Sequence, residues 1–349
     1  MDFPESVSFT VTNACNLRCK MCGQWGPDGY IKNKVKSNTT MSPDVWKKMV
    51  DELVDNNSAS VLLRGGEVFL YPYIAELLHY IHSKNIFISI DTNGTLLDKY
   101  ADLLSTLGTI HLSISIDGPP HIHDKIRGDE NCFERIEKNL EVLRDAENRH
   151  GQRISKAFTF TLSSDNYLFL GQMPDIARRL EIETITVVPR YWVPGEAGKE
   201  YENWVCKHFE DKAFSWKGFH EETPKIDCNR LTEELQKYEK NLGTIKNYPY
   251  MELSQSEYRE WFTTYYSVVK KHHCSNTERL IDIQPNGDAN VCVDFPDIVF
   301  GNVQNQTIRE IWNGKKLQKF RKLRKESQTP VCYRCGAKYM SESPEKQSS

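Results

Sequence analysis

The spacing of hydrophobic and polar positions changes repeatedly between residues 7 and 190. Short apolar runs of strand length stand at Val7–Thr12, Ser60–Arg64, Ile86–Asp91, His111–Ser115, Ala157–Leu162 and Thr184–Pro189. Between them apolar residues recur at helical spacing. Ser42 and Pro43 open the first such stretch as N-cap and first-turn proline. Trp46, Met49, Val50, Leu53 and Val54 then form an apolar stripe. Further helices are predicted over Tyr71–Ser83, Leu96–Leu107, Phe133–Asn148 and Asn166–Leu180. Six strand–helix alternations imply a parallel sheet with helices outside it. The predicted class is α/β, a partial (β/α)6 TIM-type barrel over residues 1–190. Its chemistry belongs at the C-terminal ends of the strands.

The pattern changes at Tyr191. Residues 191–272 hold 16 aromatic residues, among them Trp192, Trp204, Trp216 and Trp261, and their helical patterns are short and broken. This reads as a connecting segment, or as a lid over a substrate cavity. From Cys274 the pattern changes again. Leu280–Gln284 and Ala289–Val293 flank Pro285-Asn286-Gly287-Asp288, and Asn-Gly between apolar runs predicts a hairpin. Thr307 and Glu310 form a capping box for a helix that turns Ile308, Ile311 and Trp312 inward. Residues 273–340 therefore read as a small C-terminal α+β domain, and 341–349 as a polar, disordered tail.

Size and charge narrow the class. A chain of 349 residues, 27% charged, is one large or two globular domains. A net charge of −3 argues against bulk nucleic-acid binding. No stretch approaches the roughly 20 apolar residues of a membrane span, and no signal peptide precedes the first strand. Seven of the ten cysteines sit in metal-type spacings, which favours a reducing cytoplasm over a disulfide framework. Cys132, Cys206 and Cys228 fit neither set and read as ordinary thiols.

Cys15, Cys19 and Cys22 follow the first strand with the spacing C-x3-C-x2-C. Three thiolates on one loop can hold three irons of a [4Fe–4S] cube, while full ligation takes four. The alternatives are structural or zinc-binding cysteines. Gly65-Gly66-Glu67 ends the second predicted strand, Thr92-Asn93-Gly94 the third and Ser113-x-Ser115-x-Asp117-Gly118 the fourth, with His123-Asp124-x-x-Arg127-Gly128 after it. The cysteine spacing and this order of strand ends resemble the radical S-adenosylmethionine (SAM) superfamily. The resemblance implies that the open iron chelates SAM, which an electron from the cluster cleaves to methionine and a 5′-deoxyadenosyl radical. It places Gly65, Gly66 and Glu67 at the SAM amino group, although Val68 stands where the family has proline. Thr92, Asn93, Ser115, Asp117 and Arg127 fall at its ribose and carboxylate, and Val187 or Val188 and Met21 near adenine. Arg127 suits a carboxylate because its planar fork makes paired, charge-assisted bonds. Each of these polar groups is also ordinary turn chemistry.

Cys274, Cys292, Cys332 and Cys335 form a second set, C-x17-C-x39-C-x2-C. Four thiolates can close a cube completely, and C-x2-C is also a zinc spacing. With Gly301-Asn302-Val303 and Ile308-x-x-Ile311-Trp312-Asn313, this set resembles the SPASM and twitch auxiliary-cluster domains of radical SAM enzymes. A full SPASM domain has seven cysteines; four here imply the shorter form with one cluster. The implied cofactors are SAM and two [4Fe–4S] clusters. In sulfatase-maturing relatives an aspartate near the position of Asp294 accepts a proton, which makes Asp294 the candidate acceptor. Glu67, Asp117, Tyr191 and Tyr201 are lesser ones.

Lys315 to Lys325 holds seven basic residues in eleven. It reads as a solvated helix face, or as a dock for an acidic electron donor such as flavodoxin or ferredoxin. The expected activity is hydrogen abstraction that oxidises or epimerises a small polar metabolite such as a sugar or aminocyclitol. That preference rests on the barrel starting at once, with no domain before it to grip a leader peptide. The alternative is maturation of a ribosomal peptide or protein side chain. A non-catalytic iron–sulfur electron carrier would not need the SAM contacts.

Overall fold

Six parallel strands lie side by side in chain order: β1 (Ser6–Thr12), β2 (Ser60–Gly65), β3 (Phe87–Thr92), β4 (Ile110–Ser115), β5 (Ser155–Leu162) and β6 (Thr184–Pro189). The computed structural model describes residues 2–34, 40–58, 60–248, 250–267, 269, 274 and 276–336. Between the strands run α1 (Tyr30–Lys34), α2 (Pro43–Asp55), α3 (Ile74–Ser83), α4 (Ala101–Leu107), α5 (Pro120–Arg127), α6 (Cys132–His150) and α7 (Met173–Arg179).

Period-two alternation sorts the strand side chains between two faces. On β1, Val7, Phe9 and Val11 point to the helices, and Phe9 meets Trp46 of α2 with ring centroids 4.8 Å apart. Ser8, Thr10 and Thr12 take the other face. Thr10 donates to Asp282 at 3.3 Å, and Ser113 and Thr159 on adjacent strands share a hydrogen bond of 2.8 Å. The inner face of the partial barrel is thus hydroxyl-rich, while Val61, Leu63, Ile88, Ile90, Leu112 and Ile114 build the core beneath the helices.

Several helix starts differ from expectation. Ser42 precedes Pro43, but its side chain makes no capping bond. The helix expected from Tyr71 starts at Ile74. Those expected from Leu96 and Asn166 begin as 3₁₀ turns, Leu97–Tyr100 and Tyr167–Gln172, before α4 and α7.

The sheet continues past the six strands. β7 (Lys246–Asn247) pairs with β6. At the other edge β8 (Leu280–Ile283) runs parallel to β1, followed by antiparallel β9 (Asp288–Asn290) and β10 (Gly301–Asn302). The hairpin expected to lie in a separate C-terminal domain therefore extends the barrel sheet, and its second strand ends at Asn290 rather than Val293. Pairing satisfies the β1 edge, which would otherwise present free backbone groups. Gly287 turns the hairpin with φ of +87°, and the Gln284 amide donates to the Asp288 carbonyl at 2.8 Å.

After the hairpin come α12 (Ile308–Trp312) and α13 (Lys315–Glu326); α11 (Asn276–Arg279) precedes β8. Both bonds of the Thr307–Glu310 capping box are present. Glu52 of α2 adds a second cap, accepting from the Ile308 and Arg309 amides at 3.0 and 2.9 Å. This ties the C-terminal region to the barrel wall.

The described part of residues 191–272 is more helical than its broken pattern implies. α8 (Gly195–Phe209) has 15 residues, α9 (Cys228–Asn241) has 14, and α10 (Gln255–Thr263) follows. The indoles of Trp192 and Trp261 lock this segment to the end of β6. Trp192 donates to the Trp261 carbonyl at 2.9 Å and Trp261 to the Arg190 carbonyl at 3.0 Å. The expected tail at 341–349 lies outside the described residues. Among the described residues no helix is long and apolar enough to cross a membrane.

Candidate active site

The loop after β1 places Cys15, Cys19 and Cys22 together and gives each sulfur one donor. The Leu17 amide donates to Cys15 Sγ at 3.4 Å, the Trp25 amide to Cys22 Sγ at 3.3 Å, and Arg127 Nη1 to Cys19 Sγ at 3.6 Å. The loop is clamped from both sides. The Gly66 and Glu67 amides donate to the Thr12 and Ala14 carbonyls at 2.9 and 2.8 Å, and the Lys20 amide donates to the Ile126 carbonyl at 2.8 Å. A Cβ on Gly65 or Gly66 would sit 2.5 or 2.4 Å from those same carbonyls. Glycine is required here because two chains cross, before any ligand is considered.

The polar residues at the strand ends bond chiefly to one another. Glu67 is buried. It accepts from Thr92 Oγ1 and the Asn93 amide at 2.8 Å each, and from the Phe69 amide at 3.3 Å. Burial pushes its carboxyl up, and these three donors oppose the rise. Asn93 Nδ2 donates to Asn16 Oδ1 at 2.9 Å, and Asn16 Nδ2 to Thr95 Oγ1 at 2.8 Å. The side chains expected on SAM thus tie β2 and β3 to the cysteine loop.

Arg127 and Asp117 form a buried ion pair at 2.5 Å, and Asp117 also accepts from the Thr161 amide at 3.1 Å. Both had been expected at SAM itself. The guanidinium bridges Asp117 and Cys19, so it reaches the first cysteine site through a sulfur. His123, between them in sequence, accepts the Asp117 amide on Nδ1 at 3.1 Å, and burial holds its pKa well below the usual imidazole value. Ser115 and Val188 are half-buried on the inner face of β4 and β6, Val187 points to the core, and Met21 packs at the edge of the core beside Cys22.

The second set converges from three separate stretches of chain. Cys274, Cys292, Cys332 and Cys335 line one cavity with Val291, Phe295, Ile298 and Val331. Thr329 Oγ1 lies 2.8 Å from Cys332 Sγ. Arg334, between the last two cysteines, is fully buried. It donates to the Trp261 carbonyl at 2.7 Å, the Ser267 carbonyl at 3.0 Å and the Thr264 carbonyl, which closes the C-terminal end of α10.

A charged group on the inner face joins the two sites. Arg64, which precedes Gly65, lies 3.9 Å from Asp294, two residues after Cys292. Asp91 of β3 and Asp282 of β8 flank the guanidinium. Burial pushes all three carboxyls up, and Arg64 opposes this in each. Asp282 is fully bonded, to Thr10, Gln284 and Asn290. Asp91 and Asp294 keep surface toward the lumen, though protein surrounds them. Tyr191 and Tyr250, joined hydroxyl to hydroxyl at 3.2 Å, stand between this group and Gly336.

Residues 9–163 match the radical SAM superfamily, and residues 274–336 match SPASM, an iron–sulfur cluster-binding domain. The chain is a member of the radical SAM superfamily. It is 24% identical over 324 residues to AlbA of Bacillus subtilis, the antilisterial bacteriocin subtilosin biosynthesis protein, covering 90% of this chain and 61% of AlbA. It thus spans about three-fifths of that relative's length. It is 24% identical over 331 residues to the AdoMet-dependent heme synthase of Methanosarcina barkeri, covering 92% of this chain and 85% of that protein. Its fold matches Streptococcus suis SuiB bound to precursor peptide SuiA with a TM-score of 0.64, at 16% identity, over 98% of this chain and 76% of SuiB.

The cofactors of such a radical SAM protein are SAM and [4Fe–4S] clusters, and both cysteine sets suit a cluster. Burial pushes the Cys15 thiol up to about 12 and raises Cys19, Cys292 and Cys335 as well. A buried thiolate needs nearby positive charge, which iron supplies. All ten cysteines are free of disulfides. Among the described residues no group of three or more His, Cys, Asp or Glu side chains is arranged to hold a single metal ion.

Sequence reasoning missed Arg64, Asp91 and Arg334. The alternation of Ser and Thr with apolar residues on β1, β4 and β5 was the available signal for an inner polar face. The basic run also reads differently in space. Lys316 pairs with Asp211 at 2.7 Å, Lys319 bonds the His208 carbonyl at 2.5 Å, Arg321 stacks 4.0 Å over Trp312, and Lys325 lies 3.4 Å from Glu278. Much of its charge is spent inside the molecule.

Proposed function

We propose that this radical SAM enzyme modifies a peptide or protein side chain. When bound, SAM on the first cluster supplies a 5′-deoxyadenosyl radical that removes a hydrogen atom from the substrate. The Gly65 and Gly66 carbonyls and Ser115 would hold the methionine end of SAM, with Val188 and Met21 against adenine. Asp294 would accept the proton that the oxidised substrate releases.

The observation that carries this reading is the Arg64–Asp294 contact. It supports the reading because Asp294, two residues after Cys292, lies 3.9 Å from Arg64 at the end of β2, beside the first cysteine loop. A substrate in the lumen would meet both sites at once. The likeness to AlbA over 90% of the chain supports a peptide rather than the metabolite first expected, and SuiB, of the same fold, binds a precursor peptide. The early start of the barrel carries no weight on this point. An acidic electron donor, a flavodoxin or ferredoxin, would meet the lysines left on the outer face of α13, such as Lys315 and Lys322.

The test is anaerobic incubation of reconstituted protein with SAM, reductant and a short peptide encoded beside its gene. The expected result is a peptide that has lost two hydrogen atoms, or gained one deuterium in D₂O, with 5′-deoxyadenosine formed in step. Turnover of a sugar or porphyrin, with neighbouring peptides untouched, would overturn the reading.

A further inference from the structure

α13 sends one member of its basic run inward. Arg324 lines the same cavity as Cys274, Cys292, Cys332 and Cys335. Its hydrogen bond goes to the Ser327 carbonyl at 2.8 Å, and among the described residues no carboxylate pairs with it. Its neighbour Lys325 has the carboxylate instead. Burial works against the charge of Arg324, yet the four thiolates together hold its pKa above the ordinary value. A guanidinium stays charged in any protein setting. A permanent cation therefore faces four sulfurs and no counter-ion of its own.

We propose that Arg324 raises the reduction potential of the cluster held by the second cysteine set. A cube with four thiolates gains one more negative charge on reduction. A fixed cation beside it stabilises that added charge, and net charge, hydrogen bonds to sulfur and exposure are what set such potentials. The Thr329 hydroxyl, 2.8 Å from Cys332 Sγ, acts in the same direction. Apolar neighbours such as Phe295, Ile298 and Phe320 line the same cavity, and such surroundings weaken screening of a charge. At the first site, among the described residues, the cation bonded to a sulfur is Arg127, which Asp117 neutralises at 2.5 Å. The inference rests on the second cluster and not on the identity of the substrate.

The experiment is an EPR-monitored redox titration of reconstituted full-length protein, with iron and sulfide measured on each sample. Arg324→Gln is expected to lower the midpoint of the second cluster by on the order of 59 mV, a tenfold change in the reduced-to-oxidised ratio of a one-electron couple. The first cluster, in the same sample, should keep its midpoint. Arg324→Lys, which keeps the charge, should stay close to the wild type. An unchanged or raised midpoint in the glutamine variant, or an equal shift in both clusters, overturns the proposal. So does a lysine variant that shifts as far as the glutamine one. Loss of the second cluster's iron from both variants would assign Arg324 to assembly and overturn its role in tuning.

Discussion

The first cysteine site is local and polar; the second is dispersed and apolar. Cys15, Cys19 and Cys22 share one eight-residue loop, and each sulfur accepts a hydrogen bond. Around the other cavity the cysteines arrive from before β8, from after β9 and from the final turn, among phenylalanines and valines. The difference follows from ligand count. A site with three cysteines must leave one position open, so its loop is braced from outside by Glu67, Asn93 and Arg127 while the ligand side stays free. A four-cysteine site can be closed, and closure is achieved by burying it.

The comparison breaks most strongly at the brace of the first site. Asp117→Asn leaves the buried Arg127 without its counter-charge, which costs about 3–5 kcal/mol for a broken buried pair. Denaturant unfolding should show that loss, and iron at the first site should fall while the second keeps its own. Equal loss at both sites would mean that the two are not independently supported. Next comes Arg334→Met, which removes a charged donor from the Trp261, Ser267 and Thr264 carbonyls. The expected cost is about 2–3 kcal/mol, with iron lost from the second site alone. Retention of full stability and iron would show that the α10 cap has no part in holding that site. The smallest effect is expected from Thr329→Val. Iron content and stability should stay within about 1 kcal/mol of wild type, with the second midpoint slightly lower. A large drop in iron would instead make the hydroxyl part of the cluster's support.

The same contrast explains what was legible in the sequence. The six strands and the loop cysteines are short-range patterns: an apolar run, then three cysteines within eight residues. The pairing of β8 with β1 joins Ser6 to Leu280, and no local pattern encodes a contact across that span. α9 was readable, since Leu231, Leu235 and Tyr238 make a helical stripe, but the surrounding aromatic residues hid it. Arg127 is conspicuous in the sequence, but its partners within the protein are not. Its fork suits a SAM carboxylate, Asp117 and a thiolate alike, and only the fold brings Asp117 and Cys19 within reach. Arg334 and Arg324 read as ordinary basic residues because burial is invisible in a charge count.

The central claim is a division of labour: the first set splits SAM and the second serves the substrate. The most direct test compares a Cys15→Ala, Cys19→Ala, Cys22→Ala triple variant with a Cys332→Ala, Cys335→Ala double variant, both soluble and compact. Iron, sulfide and 5′-deoxyadenosine release are measured on each. The triple variant should keep about four irons, the complement of one cube, and release no 5′-deoxyadenosine. The double variant should lose about as much iron and still cleave SAM. Cleavage surviving in the triple variant, or vanishing equally from both, would contradict the account.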